Sequence, residues 1–170
     1  MSGEATSVRL VPWSDEHDAA TVQWLNDPAI RASFGITRAV TLEGHRQWRL
    51  QRTGLAAWAI VADDAHLGNF LLDLNQRHAS AYLQIYIGEV RAQGRGTGRR
   101  AMTLGLAEAF GSLGMNRVWL HTRDDNPRAR HLYGSLGFRS EGFERESILE
   151  DGRFLDQERW ALLRAEWLAR

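Results

Sequence analysis

Hydrophobic positions near the start of the chain predict one strand followed by two helices. Val8 to Val11 is a short apolar run that Pro12 stops. Asp15 is placed to cap a helix that runs to the Asn26-Asp27-Pro28 stop, and a second helix is predicted from Thr41.

The pattern then changes to short strands. Apolar and aromatic runs at 58–62, 69–74 and 81–87 are separated by the polar breaks Asp63-Asp64 and Asn75 to His78. Short runs of this kind between turn residues predict an antiparallel meander.

A helical period returns after Gly98. Apolar residues recur on one face up to a predicted end at Gly114, namely Met102, Leu106, Ala109, Phe110 and Leu113. A buried strand is predicted next, from Val118 to Thr122.

The last third of the chain carries the clearest boundary signals. Asn126 is a predicted N-cap with Pro127 at the first helical position, and Gly137 follows the helix end. Two strands, Phe138 to Leu149 and Phe154 to Leu163, flank Glu150-Asp151-Gly152-Arg153, where Asp-Gly favours a tight hairpin turn. The order of elements predicts an α/β (α+β) fold with a crossover in the middle of a mixed sheet, in a single domain over residues 1–170.

The amino-acid composition excludes catalytic mechanisms and binding sites that require Lys or Cys side chains. All 21 Lys+Arg residues are Arg, and Cys is absent. A chain without Lys has no Schiff-base or phosphate-loop lysine, and one without Cys has no thiol nucleophile, disulfide or thiolate metal site. The 44% hydrophobic and 25% charged content is that of a soluble globular protein.

Net charge and hydropathy argue against nucleic acid and membranes as partners. A formal net charge of zero disfavours nucleic acid as the main partner. No apolar run reaches the roughly 20 residues that span a bilayer, and the first ten residues lack the features of a secretory signal. We therefore expect a cytoplasmic protein without a membrane partner. Its seven Trp residues are explained most simply by core packing, and a homodimer interface is the alternative.

A glycine-rich turn, Gln93-Gly94-Arg95-Gly96-Thr97-Gly98, lies between a predicted strand and a predicted helix. Glycines let the main chain approach a ligand closely, and a helix N-terminus offers unpaired N–H groups, so this turn favours an anion such as a pyrophosphate. Four arginines lie in or near it, namely Arg91, Arg95, Arg99 and Arg100.

Two other interpretations of this turn remain. It can be a tight strand-to-helix connection beside a solvated arginine face. It also has the Gly96, Gly98 and Ala101 spacing of a dinucleotide fingerprint, with Asp124 or Asp125 as the acid, but a dinucleotide fold normally starts with this unit instead of placing it after a meander.

The sequence is similar to the GCN5-related N-acetyltransferase superfamily. Gln93, Gly96 and Gly98 match the coenzyme signature of the superfamily, and the later segment WLHTRDDNPRARHLYGSLGF with the EDGRFLDQERW hairpin looks most like spermidine N-acetyltransferases. Ile85 to Glu89 resembles the strand before the turn in ribosomal-protein, aminosugar and polyamine acetyltransferases. The resemblance implies a mixed, mostly antiparallel sheet of about seven strands with about four helices.

The resemblance also implies acetyl transfer from acetyl-coenzyme A (acetyl-CoA) to an amine, without a metal. The pyrophosphate would lie on the turn, and an N–H group near Gly88 or Glu89 would polarise the thioester carbonyl. The coenzyme contacts expected from the match are Ile87, Gly88, Gln93, Gly94, Arg95, Gly96, Thr97, Gly98, Arg99 and Asn126.

Three side chains are candidates for proton transfer. Tyr133, in the matched HLYGSLGF segment, is the expected general acid, although its position in the helix alone would make it a core residue. Glu89 and His121 are the candidate bases, since a protonated amine must lose a proton before attack. Their alternatives are an exposed loop carboxylate for Glu89 and a structural histidine for His121.

The acceptor stays open at this stage. The final hairpin is rich in acids that would attract a polyamine, but its arginines also balance them. Trp24 to Pro28, with Trp48, instead resembles the ribosomal-protein and nucleotide-aminosugar enzymes. We expect a small-molecule primary amine, a polyamine or an amino sugar. The alternatives are a protein N-terminal acetyltransferase, a non-catalytic acetyl-CoA-binding regulatory module and a simple interaction domain.

Overall fold

The computed structural model describes residues 7–123, 125–150 and 152–170. Asp124, a candidate acid of the dinucleotide fingerprint, and Asp151 of the hairpin turn lie outside the described residues. The described residues form seven strands and six α-helices: β1 (Val8–Pro12), α1 (Asp18–Leu25), α2 (Pro28–Ser33), α3 (Leu42–Gln51), β2 (Leu55–Ala62), β3 (Ala65–Asn75), β4 (Ser80–Ile87), α4 (Thr97–Phe110), β5 (Arg117–Arg123), α5 (Pro127–Ser135), β6 (Arg139–Glu150), β7 (Arg153–Leu163) and α6 (Arg164–Leu168).

The seven strands form one sheet in the order β1-β2-β3-β4-β5-β7-β6. β4 and β5 are parallel, and helix α4 makes the crossover between them. β1 pairs with β2, β5 with β7 and β6 with β7 in antiparallel register. The predicted mixed, mostly antiparallel sheet with a central crossover is confirmed. The short helices α2 and α6 add to the four longer helices that the pattern predicts.

The chain forms two compact units. The first comprises the residues up to Leu71 and Ile85–Gly105, and the second comprises Leu72–Gln84 and Leu106–Arg170. In the first unit, a Cβ built on Gly105 of α4 would lie 2.2 Å from Cζ of Phe70, so the absence of a side chain lets the helix pack directly on that ring. The core of the second unit is aliphatic and aromatic, with Leu83, Leu106, Phe110, Leu120 and Leu162 buried.

The N-terminal helices differ in two places from the prediction. Asp15 does not cap α1. It lies in a 3-10 turn, Asp15–His17, where Nδ1 of His17 accepts a hydrogen bond from the Ser14 N–H at 3.0 Å. The Asp15 carboxylate pairs instead with Arg49 of α3, and α1 starts at the fully buried Asp18.

The Asn-Asp-Pro stop after α1 also begins a new helix. Oδ1 of Asp27 accepts a hydrogen bond from the Ala29 N–H at 2.9 Å, and Pro28 takes the first position of α2. The same residues that end one helix therefore cap the next, because Asp is a good N-cap and Pro fits the first helical turn.

The later elements follow their local signals closely. Oδ1 of Asn126 accepts from the Ala129 N–H at 3.0 Å, and Gly137 has φ +83° just after α5. The hairpin pairs Leu149 with Phe154 around Gly152, which has φ +74°. Helix α4 is shorter than predicted and ends at Phe110 instead of continuing to Gly114.

None of the helices described above has both the length and the apolar character needed to cross a membrane.

Candidate coenzyme turn and catalytic side chains

The side chain of Gln93, the first residue of the glycine-rich turn, links the start of that turn to the end of β4. Nε2 of Gln93 donates a hydrogen bond to the Ile87 carbonyl oxygen at 2.9 Å, which ties the start of the turn to the end of β4. Gly94 and Gly96 then take φ values of +75° and +81°. This left-handed region is costly for other L-residues, so the turn depends on glycine at both positions.

The start of α4 fits an anionic group. Gly96 precedes the first helical residue and has no side chain with which to cap the helix. A Cβ built on Gly96 would meet no atom within 4 Å, and one on Gly98 would meet only Cγ1 of Ile87 at 3.9 Å. Arg95 and Arg99 are exposed, whereas Thr97 is buried. Open space, helix N–H groups and nearby guanidinium groups are the features that bind a pyrophosphate.

The main chain just before the turn is held by packing and by the sheet. A Cβ built on Gly88 would lie 2.0 Å from Cδ2 of Trp24, so the indole ring of α1 covers this backbone directly. The N–H groups of Gly88 and Glu89 both donate to the Leu67 carbonyl oxygen, at 2.9 and 3.0 Å. Both N–H groups therefore already have a partner in the sheet, and polarisation of the thioester carbonyl by one of them stays a prediction.

A buried polar network supports the same end of β4. Nδ2 of Asn69 donates to Oγ1 of Thr21 at 2.8 Å and to the Tyr86 hydroxyl at 2.7 Å. Burial raises the pKa of Tyr86 to about 12, although its hydrogen bonds to Asn69 and Thr21 act in the opposite direction. Tyr86 therefore stays neutral and helps to fix the strand one residue before Ile87. The sequence pattern does not predict this network, because its members Thr21, Asn69 and Tyr86 lie on three separate elements, α1, β3 and β4.

Glu89 is poorly suited to act as a base. Its Oε1 lies 3.1 Å from Nε of Arg91 and also accepts from the Arg91 N–H. The side-chain hydrogen bond from Arg91 is the largest of the effects that lower the pKa of Glu89. A carboxylate with a lowered pKa holds a proton less well, so the alternative of an exposed loop carboxylate is favoured.

Tyr133 lies on α5 among aromatic side chains. Its ring centroid is 6.0 Å from that of Phe138 and 6.3 Å from that of Trp160. Burial raises the pKa of Tyr133 to about 12, with a smaller contribution from Tyr82. The hydroxyl therefore keeps its proton throughout the neutral range, as a proton donor must.

His121 lies in a different aromatic cluster of the same unit. Its ring packs against Trp119 and Tyr82, with centroid distances of 5.2 and 5.8 Å. Nε2 of His121 lies 3.1 Å from Oε2 of Glu144 on β6. Sequence reasoning named His121 but missed Glu144 as its partner.

The acids of the final hairpin are largely paired with arginines. Glu141 binds Arg117 through both carboxylate oxygens, and Glu150 pairs with Arg123. The buried Glu158 lies 2.8 Å from Nε of Arg130. The interpretation of the hairpin as a balanced, solvated surface is therefore favoured over a free acidic patch for polyamines.

Across residues 7–123, 125–150 and 152–170, no group of three or more His, Asp or Glu side chains is arranged to hold a metal ion.

Comparisons with known proteins place these features in a family. The family profile described as "Acetyltransferase (GNAT) domain" matches residues 7–139. Spermidine N(1)-acetyltransferase of Vibrio cholerae serotype O1 is 35% identical over 100 residues, which are 59% of this chain and 57% of the relative. The match thus spans little more than half the length of that curated relative.

Solved structures of spermidine N-acetyltransferase from Vibrio cholerae share the fold. One, in complex with CoA and spermine, has a TM-score of 0.89 at 23% identity and covers 95% of this chain and 98% of its own. Another, dodecameric and in an intermediate state, has a TM-score of 0.83 at 23% identity, with 95% and 96% coverage. Because the family profile spans most of the described residues, from β1 to the first residue of β6, the chain belongs to the GNAT acetyltransferase family.

Proposed function

We propose that the chain acts as a single N-acetyltransferase domain over residues 1–170, which transfers an acetyl group from acetyl-CoA to a primary amine of a small molecule. The observation that carries this proposal is the turn from Gln93 to Gly98, whose positive-φ glycines and open space lead into the N-terminus of α4. The family profile covers this turn, which favours the coenzyme over a plain strand-to-helix connection.

The coenzyme brings an acetyl group already activated as a thioester. In this proposal its pyrophosphate is bound by main-chain N–H groups from Gly94 to Gly98, with Arg95 and Arg99 supplying charge and Asn126 a further contact. Gln93 keeps the turn tied to Ile87, and Trp24 holds Gly88 in place. No step requires a metal.

The proton transfers fall to His121 and Tyr133. His121 takes one proton from the ammonium group R–NH3+, which frees the nitrogen lone pair to form the new C–N bond. Tyr133 donates its hydroxyl proton to the sulfur as the C–S bond breaks, and the nitrogen loses its second proton to the tyrosine as the amide forms. With the proton on His121 released to water, the products are the N-acetyl amide, CoA with a free thiol, and one proton.

A polyamine is the first class of acceptor to test, because the relative that shares 35% identity is named a spermidine N(1)-acetyltransferase. The paired acids of the hairpin do not add to this argument. An amino sugar remains the second small-molecule class.

The decisive experiment combines binding with turnover. Acetyl-CoA is expected to raise the melting temperature, since a ligand that binds only the folded state stabilises it. Thiol release is then followed with a chromogenic disulfide over polyamines, amino sugars and N-terminal peptides. Because the chain contains no Cys, every thiol detected is CoA.

The outcomes separate the candidate functions. Stabilisation with thiol release from a polyamine or amino sugar supports the proposal, and release only with peptides would make the chain a protein N-terminal acetyltransferase. Stabilisation without release from any amine would indicate a regulatory module. No stabilisation by acetyl-CoA would overturn the proposal.

Assembly and location belong to the same proposal. A homodimer or a larger homo-oligomer is supported by the dodecameric relative, and light scattering of the purified protein measures its mass directly. The cytoplasm is the proposed location, and fractionation of cells that express the protein tests it.

A further inference from the structure

Alternate residues of β5 form a half-exposed face on which each charged side chain meets an acid of β6. Arg117 pairs with Glu141, His121 with Glu144 and Arg123 with Glu150. The residues between them, Val118, Leu120 and Thr122, are buried on the other face. In this series His121 supplies an imidazole, whereas Arg117 and Arg123 supply guanidinium groups.

His121 is held tightly in this series. Its side chain is only 14% exposed and is packed against Trp119 of β5 and Tyr82 of β4. The imidazole therefore has little freedom to turn, and the identity of the group facing each ring nitrogen decides its chemistry.

Nε2 of His121 is buried and faces the Glu144 carboxylate. Oε2 of Glu144 lies 3.1 Å away, in an ion-pair contact rather than an aligned hydrogen bond. If Nε2 carried a lone pair, that lone pair would face the negative oxygen in a poorly solvated place. Electrostatics therefore favours a proton on Nε2 in both the neutral and the charged ring.

The Glu144 carboxylate is itself kept charged. Burial alone would raise the pKa of Glu144, but His121 and Arg159 hold it below its usual range. The other oxygen, Oε1, pairs with Arg159 of β7, whose guanidinium lies 4.7 Å from the centre of the Trp119 ring. The charged and titratable groups at this site thus include Tyr82 on β4, Glu144 on β6 and Arg159 on β7.

We propose that Glu144 is a positioning residue for His121: it holds the proton on Nε2 and leaves Nδ1 as the atom that takes the proton of the substrate ammonium. This inference rests on the proposed function, because it gives the base of that reaction a partner. A neutral imidazole has one N–H, so fixing it on Nε2 fixes the proton acceptor, as the buried carboxylate of a catalytic triad does.

The first test is the Glu144→Gln variant in the thiol-release assay. The Gln side chain is similar in shape, but its NH2 group can donate to Nε2 and stabilise the tautomer with the proton on Nδ1. We expect kcat to fall by about tenfold while KM for acetyl-CoA is unchanged, a loss smaller than the roughly 100- to 10,000-fold that a general base contributes.

The matched control is Glu141→Gln, which removes a carboxylate from the same strand that pairs with Arg117 of β5. We expect it to keep kcat. In a His121→Gln background, Glu144→Gln is expected to have no further effect, because it acts only through the histidine. The proposal would be overturned if Glu144→Gln kept full kcat, or if Glu144→Gln and Glu141→Gln lowered kcat equally. It would also be overturned if Glu144→Gln lowered kcat as much in the His121→Gln background as in the wild type.

A second test does not depend on turnover. Nitrogen-15 NMR of the neutral His121 ring is expected to show the Nε2–H tautomer in the wild-type protein, and Glu144→Gln is expected to shift it toward Nδ1–H. An Nδ1–H ring in the wild type would overturn the proposal even if the enzyme is active. A wild type that releases no CoA would instead refute the proposed function, and the NMR result would still decide whether Glu144 holds the tautomer.

Discussion

Helices α4 and α5 begin in opposite ways. Helix α5 starts with Asn126, whose Oδ1 accepts from the Ala129 N–H, and with Pro127, which needs no partner for a missing N–H. Helix α4 starts after Gly94, Arg95 and Gly96, and the residue at its cap position has no side chain.

The difference separates a structural helix start from one available to a ligand. At α5 the chain satisfies its own N–H groups, so the helix is stable without any partner. At α4 the residue before the helix has no side chain that could cap it, and a Cβ built there would meet no atom within 4 Å. Substitutions at the starts of the two helices test this contrast.

Gly96→Val is expected to have the largest effect. A β-branched residue at φ +81° costs about 1–2 kcal/mol of folding free energy and distorts the turn. The loss of about two hydrogen bonds to a charged phosphate, each about 1.5 kcal/mol, lowers acetyl-CoA affinity about 100-fold. Calorimetry measures the affinity, and denaturant unfolding measures the stability.

Gly114→Val is the matched control for that variant. Gly114 has φ +65° with no atom within 4 Å of a built Cβ, but it follows the C-terminal end of α4. It should lose similar stability and bind acetyl-CoA normally. Equal losses of affinity in both variants would show that strain, and not the anion site, explains the effect of Gly96→Val.

Gly98→Ala is expected to separate stability from binding. A Cβ at Gly98 has ordinary contact with Ile87 at 3.9 Å, so the more helix-prone Ala should stabilise the protein by up to about 0.5–1 kcal/mol. The methyl group occupies the space left for the pyrophosphate, so we expect acetyl-CoA affinity to fall about tenfold, or about 1.4 kcal/mol.

Gly134→Ala provides the comparison on α5, where a built Cβ also meets no atom within 4 Å. We expect Gly134→Ala to raise the free energy of unfolding by the same amount as Gly98→Ala and to leave acetyl-CoA affinity unchanged. If Gly98→Ala binds acetyl-CoA as tightly as the wild type, the open space at α4 has no role in the coenzyme site.

Asn126 tests the other side of the contrast. Asn126→Ala should lower the free energy of unfolding by about 1 kcal/mol through loss of the cap. Asn126→Asp keeps an equally good cap but loses the amide NH2. If acetyl-CoA affinity falls in Asn126→Asp while stability is kept, the amide contacts the coenzyme as proposed; unchanged affinity would make Asn126 a cap alone.

Arg95→Gln is expected to have the smallest effect. Arg95 is exposed, so its charge is screened by salt, and affinity should fall only about threefold at low ionic strength and less at high. Arg77→Gln, in the exposed turn after β3, removes the same charge elsewhere and should leave the salt dependence unchanged. A large salt-independent loss in Arg95→Gln would instead indicate a direct, desolvated contact with the phosphate.

The sequence predicted the elements whose signals are local. The cap and proline of α5, the Asp-Gly hairpin and the glycine turn each specify backbone geometry within a few residues, and the structure places them as expected. Asp27-Pro28 was harder, because the same pair that stops one helix is also a good start for another. Asp15 was assigned as a cap because the sequence does not show its pairing with Arg49, 34 residues away.

The contacts of the candidate site that the sequence does not predict depend on how the strands pair. One N–H group near Gly88 or Glu89 was expected to polarise the thioester carbonyl, and in the structure the N–H groups of both residues donate to one carbonyl of β3. Glu144 on β6 reaches His121 on β5 across the intervening strand β7. The pairing of β6 with β7 changes register between Glu144 and Ile148. No local pattern predicts such a shift, so the partner of His121 could only be found in three dimensions.

The irregular course of β6 also bears on how the protein behaves at high concentration. β6 is an edge strand, and it carries register shifts at Ser140/Gly142 and Glu144/Ile148, with Glu146 at φ +52°. A straight edge strand would expose a continuous row of N–H and C=O groups on which a strand from another molecule could dock and begin to aggregate. Bulges and charged side chains interrupt that row, so this rim of the sheet resists growth into intermolecular β-structure.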